Sequence, residues 1–361
     1  MMTFAVYNFI LFGATLSAYL YEWAKSENAK LVFLIISFLI PFFFLAIRYD
    51  IGTDYQNYVD YFYRIARGEL VPKEPGYVLL NYLIAYFDLS VQWLFVIFGF
   101  FFLYFAYKAL PKDGFALGVF LFISTMYLYE GFSAIRQGLA IVIMANAVKY
   151  AYDKKFKMYL LWALFAMMIH FVTAFLFLII YPFINKSINK NIAIFLIVFF
   201  FILTQFTHVA EYMLSLIGNM FPKYAWYLNS KFAQEASTSA GLIGPMIKIS
   251  IAIIIIFFKD KTIKKFPYSN IFLNLYLIYI IAYIFHLKIS IFGRVEHVFI
   301  FSMVVSTVYF LKSFEKKGRV IVMFLILLFY YLMYMRYILK GTLDIDNDVY
   351  INPYQTVIFD R

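Results

Sequence analysis

The chain has 361 residues, of which 65% are hydrophobic and only 14% are charged, and its mean hydropathy is +0.81. Soluble domains carry about 25% charged residues, so this composition excludes a soluble globular fold. The net charge is +11, but the aromatic residues do not alternate with a basic stripe as single-strand binders require, and nucleic acid is therefore not expected as a partner.

Apolar runs of spanning length recur along the chain and predict an all-α, polytopic membrane protein with about ten to twelve transmembrane or re-entrant helices. The runs are continuous rather than alternating, which excludes a β-barrel. The first run lacks the basic segment of a cleavable signal, so we expect a retained helix there. The predicted helices are 4–22, 31–47, 91–107, 114–129, 132–150, 191–209, 241–258, 267–287, 298–312 and 319–339.

Two apolar stretches, 77–89 and 157–184, leave the topology open. The Lys and Arg clusters of the short loops can all be cytoplasmic only if the first stretch does not fully cross and the second returns to its starting side. A re-entrant hairpin or broken helix with His170 near its apex meets this condition, and the alternative is one long tilted span.

The preferred topology puts both termini on the outer side of the membrane. The acidic residues of the tail, Asp344, Asp346, Asp348 and Asp360, are compatible with that side. No internal repeat or linker is visible, so we expect one integral membrane domain over 1–361. Four connecting segments are predicted to share the outer face: 48–76, 130–136, 210–240 and 288–297.

The first polar motif is RYDIGTDY at 48–55, directly after the second apolar run. Arg48, Asp50 and Asp54 are therefore expected at the membrane interface. Interfacial anchoring with local ion pairs is one interpretation. The density of polar groups beside a bilayer favours the other, a functional site.

A second motif is AIRQGLA at 134–140, near the outer end of a predicted helix. An arginine in a span costs at least about 2.5 kcal/mol and usually marks a ligand or ion path. Arg136 could instead extend to the headgroups. The adjacent Gln137 and the small Gly138, which allows close helix approach, favour an inward-facing cavity.

Three further positions are less specific. Glu74 opens a turn signal at 74–77, which could simply separate two helices. His170 lies in an apolar stretch, where a histidine is more often a packing residue than a catalyst. Arg294 lies in GRVEH at 293–297, expected to be a short outer turn with a weak Arg294–Glu296 pair. The chain has no cysteine, and no His and carboxylate pair has a metal-ligand spacing, so no metal site is expected.

Arg48, Arg136 and Arg294 are predicted on one face of the membrane. Guanidinium groups stay charged and form forked hydrogen bonds to phosphate oxygens. In a low-dielectric site they would stabilise charge on a leaving diphosphate. The chain has no Walker or GxGxxG loop, so a nucleotide-driven pump is not expected.

The order of these motifs resembles the EpsG-like branch of the Wzy-type oligosaccharide repeat-unit polymerases. The resemblance rests on 48–55, 74–77, 135–140 and 166–174, and Arg294 matches the arginine that these proteins carry late in the chain. It implies a glycosyltransferase of the bacterial inner membrane, active at the face toward the periplasm or cell exterior. Its donor would be an undecaprenyl-diphosphate-linked oligosaccharide, and neither a cofactor nor a metal would be needed.

The resemblance also implies roles for the candidate residues. Arg136 and Arg294 would bind the leaving diphosphate with help from Arg48. The attacking hydroxyl would be oriented or deprotonated by His170, Asp50 or Asp54, among which the sequence does not choose. The remaining candidates for substrate binding are Tyr55, Tyr58, Gln137 and Glu74.

Membrane lipid is an expected partner, and a chain-length regulator is a further candidate. Two other functions would use the same basic face. One is a flippase for lipid-linked oligosaccharide, although an alternating-access transporter should show internal symmetry and none is visible. The other is a ligase that transfers finished polymer to a different acceptor.

Overall fold

The computed structural model describes residues 2–220, 243–343 and 351–358. Its secondary structure is helical, and the predicted all-α class is confirmed. Contacts divide the chain into two compact units, Met1–Tyr181 with Lys316–Arg361 and Pro182–Glu315. The single domain predicted over 1–361 stays a prediction.

The helices follow in chain order. The first part of the first unit contains α1 (Met2–Trp23), α2 (Glu27–Ala46), α3 (Tyr55–Ala66), α4 (Pro75–Tyr86), α5 (Gln92–Ala109), α6 (Phe115–Ser124), α7 (Tyr127–Ser133), α8 (Ile135–Tyr152) and α9 (Phe156–Met167). Helix α10 (Phe171–Ile184) begins in the first unit, and its residues 182–184 belong to the second. The second unit contains α11 (Lys190–Phe206), α12 (Val209–Met220), α13 (Ile243–Phe257), α14 (Lys259–Lys265), α15 (Ser269–His286) and α16 (Phe292–Ser313). The chain then returns to the first unit with α17 (Lys316–Leu343).

Six helices of the described residues are long and apolar enough to cross a membrane. They are α1, α2, α5, α15, α16 and the Gly318–Leu339 part of α17. The pair α6 and α7, bent by 50°, would make a seventh span, and α9, α10, α11 and α13 are shorter apolar helices. The chain is therefore a polytopic membrane protein, as its composition predicts.

Helices α5 and α8 approach each other closely where small residues permit it. A Cβ atom added to Gly138 would lie 3.3 Å from the Phe102 ring. Farther along the same interface, the Asn146 side chain donates to the Phe105 carbonyl at 2.8 Å. The packing fixes the start of α8, which carries Arg136.

The stretch 157–184 is a hairpin of two short helices. The Tyr159 hydroxyl on α9 donates to the Phe177 carbonyl on α10 at 2.8 Å, and the Phe156 and Tyr181 rings are 4.8 Å apart. In one straight helix positions 156 and 181 would be about 37 Å apart. The broken-helix form of the prediction is confirmed, with His170 at the apex, and the single tilted span is wrong.

Other predicted boundaries change for physical reasons. The predicted helix 114–129 is interrupted at Met126, which adopts a left-handed φ of 66°. The predicted loop 48–76 contains α3, because Tyr58, Phe62 and Ile65 are buried along one helical face. A search for long apolar runs does not detect such an amphipathic helix.

The C-terminal segment 351–358 returns to the end of α2. The Tyr49 N–H donates to the Gln355 carbonyl at 3.0 Å, and the Val357 N–H donates to the Ile47 carbonyl at 2.9 Å. This antiparallel contact brackets Arg48. The predicted outer residues 221–240 and the acidic residues of the tail, Asp344, Asp346, Asp348 and Asp360, lie outside the described residues.

Candidate active site

Arg48 is buried inside the first unit, with a relative exposure of 1%. Its guanidinium donates to the Leu45 carbonyl at 3.1 Å and to the Phe132 carbonyl at 3.3 Å. The Phe95 and Phe132 rings lie 4.5 and 5.2 Å from it. These contacts fasten the end of α2 to the end of α7. The predicted contribution of Arg48 to substrate binding stays a prediction.

Gly52 brings the same motif against the end of α7. It adopts a φ of +98°, and a Cβ added there would lie 2.2 Å from the Phe132 carbonyl oxygen. The next residue, Thr53, donates its N–H to the Ser133 hydroxyl at 3.2 Å. The turn at Gly52 is thus in close backbone contact with residues 132 and 133, and Ser133 lies two positions before α8 begins.

The two predicted carboxylates of this motif form local contacts. Asp50 accepts a hydrogen bond from the Gln56 side chain at 2.6 Å. Asp54 is the N-cap residue of α3 and accepts from the Asn57 side chain at 3.4 Å. Both are half-buried, so they lie at the margin of the site.

Tyr55 and Tyr58 on α3 are buried, each with a relative exposure of 3%. The Tyr55 ring stacks on Phe95, with centroids 4.7 Å apart and an interplanar angle of 13°. The Tyr58 ring lies 6.1 Å from the Tyr77 ring. The structure gives both rings packing partners within the protein, and stacking on sugars stays a prediction.

Arg136 lies in the first turn of α8 and is held by two elements. Its Nη1 donates to a carboxylate oxygen of Glu74, and the Tyr58 side chain interacts electrostatically with its guanidinium. The Tyr77 ring lies 5.1 Å from the guanidinium carbon. Burial raises the pKa of Tyr58 to about 12 although Arg136 opposes the shift, so the phenol is neutral at physiological pH.

Glu74 joins Arg136 to the apex of the α9–α10 hairpin. Its second carboxylate oxygen accepts the Phe171 N–H at 3.2 Å, which satisfies a donor at the start of α10. The Gly76 N–H donates to the Met168 carbonyl at 2.8 Å, and a Cβ on Gly76 would lie 2.7 Å from that oxygen. The segment 74–77 is therefore a docking contact as well as a helix start.

His170 caps α10 with its side chain. The Thr173 N–H donates to His170 Nδ1 at 3.3 Å, and the Thr173 hydroxyl lies 2.9 Å from the same nitrogen. A backbone N–H can only donate, so Nδ1 is the acceptor. Neutral His170 then carries its proton on Nε2, as assigned from this hydrogen bond.

These contacts connect four sequence motifs in the first unit. Arg136 and Glu74 form an ion pair whose side chains are 15% and 18% exposed, with Tyr58 beside it and His170 one residue before Phe171. Gln137 follows Arg136 on α8 and is half-buried. The arrangement is a partly accessible guanidinium with a carboxylate counterion, and it can exchange that carboxylate for an anionic ligand.

Arg294 belongs to the second unit. It is exposed and lies in the first turn of α16, which begins at Phe292, so residues 293–297 are helical and the predicted turn there is wrong. The helix starts earlier than the apolar run because the charged Glu296 of its first turns is buried with partners on two other helices. Glu296 is buried and pairs with Lys248 and His286, which replaces the expected Arg294–Glu296 pair.

Lys248 was not among the residues predicted from the sequence, although a lone cation inside the apolar run 241–258 was an available signal.

Within residues 2–220, 243–343 and 351–358, no three His, Asp or Glu side chains are grouped as metal ligands. The predicted metal independence is left to experiment.

Comparison with known proteins identifies a family for this chain. A family model described as the EpsG family matches residues 31–356, a range that includes all the motifs above and residues 351–356 of the C-terminal segment beside Arg48. The comparisons with curated proteins and with solved structures found no significant match.

Proposed function

Because the chain belongs to the EpsG family, which implies a polymerase-like role in exopolysaccharide biosynthesis, we propose that it polymerises lipid-linked oligosaccharide repeat units. The donor is a growing glycan on a polyprenyl diphosphate such as undecaprenyl diphosphate. The acceptor is the terminal sugar of another lipid-linked unit. The reaction takes place at the outer face of a bacterial inner membrane.

The proposed reaction exchanges one bond for another at the anomeric carbon. The bond from that carbon to the diphosphate oxygen breaks, and a bond to the acceptor hydroxyl oxygen forms. The hydroxyl proton leaves with a base or with the diphosphate. Negative charge therefore grows on the leaving diphosphate, and a fixed cation beside it would lower the barrier.

The contact between Arg136 and Glu74 is the observation that supports this reaction best. A guanidinium matches the oxygens of a carboxylate and of a phosphate with the same fork. Glu74 holds the fork in place before the substrate arrives, and a diphosphate carries more charge than a carboxylate. We propose that the diphosphate binds Arg136 in place of, or beside, Glu74.

The hydrogen bonds of His170 limit its part in the reaction. In the neutral imidazole Nδ1 accepts from Thr173, so Nε2 carries a proton and donates. We propose that His170 orients the substrate by donating a hydrogen bond to it from Nε2. Asp50 and Asp54 remain the candidates for accepting the hydroxyl proton. Arg294 is proposed, as the family resemblance implies, to bind lipid diphosphate.

Chain-length analysis of the surface polysaccharide in a deletion strain tests this function. We expect material with a single repeat, restored to long chains by the wild-type gene. Loss of all surface material would indicate a flippase, and long chains that stay unattached would indicate a ligase. Either of those results would overturn the proposal.

A further inference from the structure

The ion pairs of Glu296 belong to a buried charge cluster within the second unit. Glu296 on α16 is 3% exposed. One carboxylate oxygen lies 3.0 Å from Lys248 Nζ on α13, and the other lies 2.6 Å from His286 Nδ1 at the end of α15. One side chain thus ties three helices together.

The aromatic rings of α15 complete the cluster. Lys248 Nζ lies 3.6 Å from the centroid of the Tyr283 ring and 4.9 Å from that of Tyr279. An ammonium within about 6 Å of a ring centroid is attracted by the ring face. The lysine is therefore directed toward Glu296 by its salt bridge and toward α15 by the rings.

Glu296 and Arg294 point away from each other on α16. Two residues correspond to about 200° around a helix, and accordingly Glu296 is buried while Arg294 is exposed. Gly293 lies against the cluster, since a Cβ there would be 3.0 Å from the His286 ring. The orientation of Arg294 therefore follows from how the opposite face of the same turn is held.

A gain in the free energy of unfolding does not explain why such a charge cluster is buried. Burying a salt bridge costs desolvation that its attraction often only offsets, and apolar residues of similar volume are frequently as stable. Ionisable groups inside membrane helices are expensive. A hydrogen-bonded charge network does, however, favour one arrangement of its helices over others.

We infer that Glu296 is a positioning residue that fixes the first turn of α16, and with it the exposed guanidinium of Arg294, through Lys248 and His286. This inference rests on the proposed function only in giving Arg294 a lipid diphosphate to bind. The positional part concerns the protein alone and can be tested without catalysis.

The positional test uses the fact that the chain has no cysteine. Arg294→Cys is introduced into the full-length protein, and the rate of its modification by a charged methanethiosulfonate reagent is measured in detergent. We expect Glu296→Gln to change that rate by about tenfold, because the carboxylate charge that holds both partners is lost. Lys248→Arg, which keeps the cation, should leave the rate near that of the parent.

Two controls keep the result interpretable. A cysteine at the exposed Glu69 in the first unit should react at the same rate in every variant. Lys248→Met, which suits an apolar helix, breaks the same contact from the other side and should reproduce the effect if Glu296→Gln fails to fold. An unchanged rate at position 294 in the folded variants would overturn the inference.

The functional test separates positioning from general damage. In purified protein, Glu296→Gln should raise KM for a polyprenyl-diphosphate-linked donor about tenfold and change kcat less than about twofold. In an Arg294→Ala background the same substitution should add little, because residues that act through one another are not additive. Full additivity would overturn the positioning role. A changed modification rate in a protein that never polymerises donor would instead refute the proposed function and leave the positional part intact.

Discussion

Three groups surround the Arg136 guanidinium at the start of α8: a carboxylate, a phenol and an aromatic ring. Glu74 supplies the charge, Tyr58 a neutral hydroxyl, and Tyr77 a ring face 5.1 Å away. A cation that merely extends to the headgroups needs none of these partners. The contacts favour a guanidinium placed for a ligand, whose charge is balanced by Glu74 until the ligand binds.

Replacing Arg136 by lysine tests that assignment. The ammonium keeps the charge but cannot reproduce a planar fork, so we expect Arg136→Lys to lose most polymerisation, nearly as much as Arg136→Ala. Membrane insertion should survive, because lysine and arginine cost similar amounts in a span. The measurement is polymer length per amount of folded protein.

Arg67→Lys is the matched control, since Arg67 is exposed and pairs with Glu69 at the surface. It should polymerise as the wild type does. Polymer of normal length from Arg136→Lys would show that Arg136 acts as an anchor and not as a diphosphate ligand.

The elements around Arg136 are short and meet through their ends. The start of α4 donates to the apex of the α9–α10 hairpin, and the turn at Gly52 lies against the end of α7. None of α3, α4 and α7 is long enough to cross a bilayer, which takes about 20 residues. The site is therefore assembled by helix ends and close backbone contacts, and those contacts should be sensitive to small additions.

Two glycines with positive φ provide a controlled comparison. Gly52→Ala adds a Cβ that would lie 2.2 Å from the Phe132 carbonyl oxygen, whereas Gly68 has a φ of +79° and nothing within 4 Å. Both variants bear the left-handed backbone cost of roughly 1–2 kcal/mol. Only Gly52→Ala must also displace backbone, so we expect it to unfold at a clearly lower temperature and to lose polymerisation. Equal unfolding temperatures for the two variants in detergent would contradict the proposed packing.

The sequence alone predicts those features of the fold that a single residue or a single apolar run indicates. Apolar runs indicated the long helices, and the distribution of basic loops indicated that 157–184 is broken. Contacts between distant residues could not be predicted in this way. The partner of Arg136 was not identified, because Glu74 lies 62 positions earlier. The contact of 351–358 with the residues beside Arg48 was not predicted either, because no local sequence pattern indicates it. Glu296 was misassigned because its partners are on two other helices.

The distribution of basic loops predicts the orientation of the whole molecule. We expect 48–76 on the outer side and 259–265 on the cytoplasmic side. Thr53 and Lys261 are both exposed, so single cysteines at these positions can be modified by a membrane-impermeant maleimide in intact cells. Thr53→Cys should be labelled and Lys261→Cys should react only after permeabilisation. Equal labelling of both from outside would refute the topology.

In the proposed function, this chain joins lipid-linked units and releases polyprenyl diphosphate, with guanidinium groups supplying the positive charge. The most direct measurement is polymerisation of a purified lipid-linked repeat unit by the full chain, reconstituted in vesicles with excess chelator. We predict products of many repeats, with one polyprenyl diphosphate released for each new linkage. Absence of elongation, or elongation that appears only when Mg²⁺ or Mn²⁺ is restored, would contradict the account.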